Sequence, residues 1–198
     1  MKNEVLIGKV RIYCKEKLQS SRCKDFPFHN WRHTEDVVSN SKLISTNEKL
    51  TEKTVEEIII ASYFHDIGNI ITYVGHEKVS CAYAQEFLTN EGYSEKGIMN
   101  VINNIKATEI PQHPKTISQK VICDSDLAHL GSKKFSFKNG NLRKEWEKYN
   151  NLTFTNEQWA AMNINFLDNH SYHTDFAKKY YSEQKVKNIE MLKEYLSD

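Results

Sequence analysis

A chain of 198 residues with 39% hydrophobic and 27% charged side chains is long enough to bury one sizeable core and has the balance of a globular protein. Its 27 basic residues face 26 acidic ones, and a net charge of +1 excludes a global field that would draw it to nucleic acid or to a membrane surface. Seven glycines and three prolines are few for an all-β chain, whose turns consume both, so the composition leans helical. The longest apolar run, Ile58 to Ala61, is far shorter than the roughly 20 residues of a membrane span. The opening MKNEVLIGKV carries Glu4 and lacks the apolar stretch of a signal peptide, so a cytoplasmic protein is expected. Cys14, Cys23, Cys81 and Cys123 show no CxxC spacing and read as core or half-buried thiols.

Helical periodicity runs nearly throughout. Leu6, Val10, Tyr13, Cys14 and Leu18 form one stripe of a first helix. A Pro-containing break at 24–30 feeds a second helix from Trp31 to Leu50, with Asn30 as its N-cap. Thr51 begins a third, which runs through Val55, Ile58, Ile59 and Ser62 to end near Gly68. His76 to Asn90 carries Val79, Tyr83 and Phe87 at spacings of four and is stopped by Gly92. Ile98, Ile102 and Ile105 mark the next helix, halted by Pro111 and Pro114. Thr116 to Leu130 follows, broken near the second of its aspartates. Leu142 to Tyr149 reads as a helix with a charged exposed face, and Glu157 to His170 and Asp175 to Leu196 complete the set. Lys133 to Asn141 is expected to be irregular or a short hairpin. The sum is a single all-α domain over 1–198, a bundle of about eight or nine helices. Its core spans about 26–130, with C-terminal helices 142–196 packing on it.

The feature that carries chemistry is Phe64-His65-Asp66, at the end of a very apolar helix. Buried ionisable groups are costly unless paired or bound to a metal, and adjacent helical residues diverge by about 100°, so both side chains reach one ion beside the helix end. Upstream, Phe28-His29-Asn30-Trp31-Arg32-His33 sets two histidines four apart at a helix start. Downstream, Val121-Ile122-Cys123-Asp124-Ser125-Asp126-Leu127 embeds two carboxylates among apolar residues. A shell of imidazoles and carboxylates from three helices suits Mn²⁺, Fe²⁺, Mg²⁺ or Zn²⁺ and lacks the thiolates of a closed structural site. Spacing alone does not separate Asp124 from Asp126.

The order H…HD…D resembles the HD superfamily of metal-dependent phosphohydrolases over roughly Phe26 to Leu196. The segment from Phe28 to His33 is similar to the aromatic-His-Asn-x-x-His opening of cyclic-nucleotide phosphodiesterases. Phe64-His65-Asp66-Ile67-Gly68 resembles the FHDIG core of bacterial members, and Asp124 to Gly131 the segment that supplies the last ligand. The resemblance implies His33, His65, Asp66 and Asp126 as ligands of a divalent metal (Mn, Mg, Fe, Co, Ni or Zn). Asp126 takes the last place because the family's ligand directly precedes a leucine. It also implies Asp66 as the carboxylate that bridges to any second metal and orients or deprotonates water, and His29 as the donor of a proton to the leaving oxygen. His76 and Glu77 match the position of a second-metal or water-orienting residue.

Binuclear members add histidines on the next helix, where this chain has Ile105-Lys106-Ala107-Thr108-Glu109. That departure argues against a fully protein-ligated second metal and against a di-iron oxygenase. His113 reads as an exposed loop histidine. Arg32, Lys106 and, more weakly, Thr108 are the candidates to hold phosphate oxygens. The expected partner is a small phosphorylated substrate, a nucleotide, acted on by a phosphodiesterase or a nucleotide phosphatase. The alternatives are a non-catalytic nucleotide or metal sensor and the di-iron oxygenase. Trp159 and the aromatics from Phe166 to Tyr172 read as packing residues with wet tips, which also suit the wall of a nucleotide pocket.

Overall fold

A computed structural model describes residues 2–197, and among them the chain is helical throughout, without a strand. Helix α1 spans Lys2–Gln19 and α2 Trp31–Asn47, joined through a 3₁₀ turn at Arg22–Asp25. Helix α3 covers Glu52–Phe64 and leads into a 3₁₀ turn at Ile67–Ile70, followed by α4 at His76–Asn90 and α5 at Glu95–Lys106. Helix α6, Ile117–Asp126, ends in a 3₁₀ turn at Leu127–Gly131, which is the expected break beside the second aspartate. Helices α7 at Phe135–Tyr149, α8 at Asn156–Asn169 and α9 at Asp175–Ser197 follow. No described helix is long and apolar enough to cross a membrane.

The starts of these helices follow from local chemistry. Asn30 caps α2 by accepting from the backbone N–H groups of Arg32 and His33. Thr51 caps α3, and Thr116 and Thr155 each form a reciprocal capping box with a glutamine three residues on. Helix α2 stops at Asn47, short of Leu50, because Lys49 adopts φ 54° and the Leu50 N–H turns back to the Ser45 carbonyl.

One expectation fails at 133–141. The segment is not a hairpin; α7 begins at Phe135 and includes all but its first residues. Asn139-Gly140-Asn141 has poor helix propensity, but Phe135 is buried against Leu127, Leu130, Leu167 and Ile189, and that packing outweighs the local preference.

The main core gathers Val10 and Cys14 of α1, Ile60 and Phe64 of α3, Ala84 and Leu88 of α4, Val101 and Ile105 of α5, and Ile122 of α6. Each valine, leucine, isoleucine or phenylalanine among them contributes about 1.5–3 kcal/mol on burial, before conformational entropy is subtracted. Helix α3 is surrounded, with every residue from Glu56 to Phe64 buried. Helices α2, α3 and α6 pack against one another, and a 2.8 Å hydrogen bond between the Ser41 and Ser62 hydroxyls ties α2 to the turn that presents His65. All four cysteines are free and buried, as the lack of paired spacing implied.

Candidate metal centre

Three helix ends converge. His33 lies in the first turn of α2, His65 and Asp66 follow the last turn of α3, and Asp126 is the last residue of α6. His65 Nδ1 lies 2.8 Å from the Ser62 carbonyl, which only accepts, so Nδ1 carries the proton and Nε2 presents its lone pair. That nitrogen is 3.4 Å from His33 Nε2, 3.2 Å from Asp66 Oδ2 and 3.7 Å from Asp126 Oδ1. His33 Nε2 stands 3.1 Å from Asp126 Oδ1 and 3.4 Å from Asp66 Oδ2. Asp66 Oδ2 is buried and has no hydrogen-bond partner. Facing imidazole nitrogens around an orphaned carboxylate oxygen need positive charge between them. Without an ion, burial pushes the His65 ring down, but Asp66 and Asp126 more than offset it and hold His65 well above the ordinary imidazole value. Burial likewise raises the Asp66 carboxyl, and His65 and His29 overcome this to hold it well below the carboxylate range. The mixed N/O donor set fits a divalent cation that takes up this role.

The two aspartates differ in their surroundings. Asp124 accepts from the backbone N–H groups of His173 and Thr174 at 2.8 Å and from the Thr174 hydroxyl at 2.7 Å. It anchors the chain entering α9, and all of its described bonds point away from the cluster, whereas Asp126 meets both histidines.

The second oxygen of Asp66 faces a different imidazole. His76 Nε2 lies 3.1 Å from Asp66 Oδ1 and 3.6 Å from Glu77 Oε1, with Nδ1 3.0 Å from the Tyr73 carbonyl. Asp66 therefore stands between the His33/His65 pair and His76. Burial lowers the His76 ring, and Asp66 raises it further, to about 9. Gly68 permits this approach, since a Cβ there would sit 2.0 Å from the His76 carbonyl oxygen. The Ser80 hydroxyl completes the joint by accepting from the Gly68 N–H and donating to the His65 carbonyl.

His29 is held by a residue that sequence reasoning missed. Glu145 of α7 falls on the face expected to be solvated, yet it is fully buried. One carboxylate oxygen accepts from the backbone N–H groups of Phe28 and His29 at 2.7 and 2.9 Å, and the other meets His29 Nδ1. Tyr73 donates to the same oxygen at 3.1 Å and in turn accepts from the Trp146 indole at 2.8 Å. Four polar hydrogens offset the desolvation of the carboxylate, which explains why it tolerates burial. The run Lys144-Glu145-Trp146-Glu147-Lys148 contains no signal that separates Glu145 from the half-buried Glu147. With Nδ1 pinned, Nε2 is the ring nitrogen left for a ligand. Burial lowers the His29 ring, but Asp66 and Glu145 overcome it and hold His29 above the ordinary value.

A cavity of about 550 Å³ opens on these groups. His29, Asp66, His76, Glu77 and Asp126 line one part, and Trp146, Trp159, Met162 and Phe166 of α7 and α8 line another. No lysine or arginine is among its lining residues. Thr108 lines the cavity, but its hydroxyl is committed to the Ile105 carbonyl. Lys106 and His113 are exposed and outside the lining, and Arg32 is exposed beside a separate hollow of about 90 Å³.

Similarity to known proteins is consistent with this geometry. No curated protein matches the chain. Three solved structures share its fold at low sequence identity. A predicted HD superfamily hydrolase from an uncultured Thermotogales bacterium is 18% identical, with 96% of this chain and 90% of that one covered at a TM-score of 0.66. YpgQ of Bacillus subtilis, solved in complex with ADP, is 16% identical over 100% of this chain and 97% of its own, at 0.73. Lin1889 of Listeria innocua is 19% identical over 100% and 98%, at 0.60. The HD domain family model matches residues 30–130, just over half of the 198 residues. The chain belongs to the HD domain family.

Proposed function

We propose that the chain is a hydrolase of a phosphate ester carried by a nucleotide, acting with a divalent cation held by His33, His65, Asp66 and Asp126. The observation that carries this reading is the orphaned Asp66 oxygen facing two imidazole nitrogens, beside a cavity of about 550 Å³ that Asp66 and Asp126 line. A cation bound there supplies Lewis acidity and brings a water pKa to about 7.

The chain's own groups account for the rest. Asp66 orients or deprotonates the attacking water. His29 donates from Nε2 to the departing alkoxide, and Glu145 fixes the ring and favours its protonated form. His76 and Glu77 stand where they assist a second ion or align water. The aromatic wall of α7 and α8 suits a base, and the ADP bound to YpgQ supports a nucleotide for this chain as well. A cavity without lysine or arginine has no clamp for a long phosphate tail, which favours a monoester or a diester over a triphosphate.

The test is hydrolysis of mono-, cyclic and triphosphate nucleotides with Mn²⁺, Mg²⁺, Co²⁺ or Ni²⁺, wild type beside Asp66→Ala. Ion-dependent turnover lost in the variant supports the reading; equal activity in the variant, or none in the wild type with any ion, sinks it.

A further inference from the structure

Two asparagines interrupt the apolar wall of the cavity. Asn139 of α7 and Asn163 of α8 both line the cavity, and each is only 7% exposed. The Asn139 amide nitrogen donates to Asn163 Oδ1, and the Asn139 oxygen accepts from the Trp159 indole. The Asn163 amide nitrogen donates to the Trp159 carbonyl at 2.7 Å. These bonds fix the orientation of both amides but do not exhaust them. A side-chain amide has two N–H groups and two oxygen lone pairs, so each asparagine keeps one donor and one acceptor in reserve. Both amides are therefore satisfied within the protein, and the remaining donor and acceptor of each can meet water or a ligand in the cavity.

Their neighbours narrow the ligand. Trp146, Trp159, Met162 and Phe166 line the same cavity, and the Trp146 and Trp159 rings meet edge to face at 5.7 Å. Flat, polarisable surface around a fixed amide pair suits a planar heteroaromatic ring. The edge of such a ring carries adjacent donors and acceptors, which an asparagine meets in bidentate fashion. A sugar phosphate without a base offers neither the plane nor that edge.

We infer that Asn139 and Asn163 are specificity-determining residues that read the edge of a nucleobase. The inference rests on the nucleotide reading above and gives it a recognition element.

Binding, measured apart from turnover, tests it. Quenching of tryptophan fluorescence is followed with AMP, GMP, CMP, UMP and ribose 5-phosphate, in the presence of Mn²⁺. The preferred nucleoside monophosphate is expected to bind at least about tenfold more tightly than ribose 5-phosphate. Asn163→Leu is expected to erase most of that margin while ribose 5-phosphate binding stays unchanged. Asn163→Asp, which keeps shape but exchanges a donor for an acceptor, is expected to reorder the preference among the four bases and serves if the leucine variant does not fold. Equal affinity for ribose 5-phosphate and every nucleotide overturns the assignment, as does an unaltered base preference in a folded variant. Base-dependent binding without hydrolysis leaves the amide pair standing and defeats the catalytic reading, while hydrolysis without base preference does the reverse.

Discussion

The ion-facing end of the cavity and its α7–α8 wall are built from opposite materials. At the first, four ionisable side chains on three helix ends are forced together in the interior, and each is explained only by the others. At the second, tryptophan, methionine, phenylalanine and asparagine do what such residues do in any core, and their use as a wall emerges only when two helices fold over the cluster. The ion-facing end has to be paid for in desolvation and is therefore conspicuous, whereas the α7–α8 wall costs little and is silent.

Substitutions should separate the two ends by size and kind of effect. The largest is expected for Asp66→Ala, which removes the carboxylate between His33, His65 and His76. Activity should fall by about 10³-fold or more, with metal content lost together with it by elemental analysis. His29→Ala should cost about 10²–10⁴-fold in turnover while metal content is retained, because His29 is apart from the ligand cluster. Loss of metal in that variant would move His29 into the shell.

Glu145→Gln should be milder, about 10–100-fold, and its pH profile is the sharper readout. His29 is held above the ordinary imidazole value by Asp66 and Glu145, and donation requires its protonated form. The rate should therefore fall as pH rises through that raised value. Removing the negative charge of Glu145 should bring the alkaline limb to lower pH; a limb that stays in place would deny Glu145 its hold on the ring. The smallest effect on chemistry is expected for Asp124→Ala. Three donors lose their buried acceptor, so unfolding stability should drop by about 3 kcal/mol, read as a lower denaturation midpoint with metal content unchanged.

The same contrast sets how much could be read from the chain. The helical class and the Asn30 cap follow from local chemistry, and the gathering of His33, His65 and Asp66 follows from ionisable groups in apolar helices. The third helix ends at Phe64 rather than near Gly68, which lies inside the following 3₁₀ turn and is needed for the approach of His76. Asp124 and Asp126 were indistinguishable by spacing, since either can face inward from α6; what separates them is Thr174, fifty residues away, which occupies one and not the other. Glu145 was illegible because burial is a property of its partners, Phe28, His29 and Tyr73, all distant in sequence. Phe135 shows the same limit for secondary structure, with long-range packing overriding a sequence rich in asparagine and glycine.

The charge of the cavity also dictates an order of events. Asp66, Glu77, Glu109 and Asp126 line it, the imidazoles of His29 and His76 already face Glu145 and Asp66, and no lysine or arginine joins them, so a phosphate approaching the ion-free protein meets a surplus of negative charge. On the proposed reading the ion enters first. Initial-rate kinetics should then be compulsory-ordered, substrate should not protect the empty protein from heat, and phosphate esters should stabilise it only after the cation has been added.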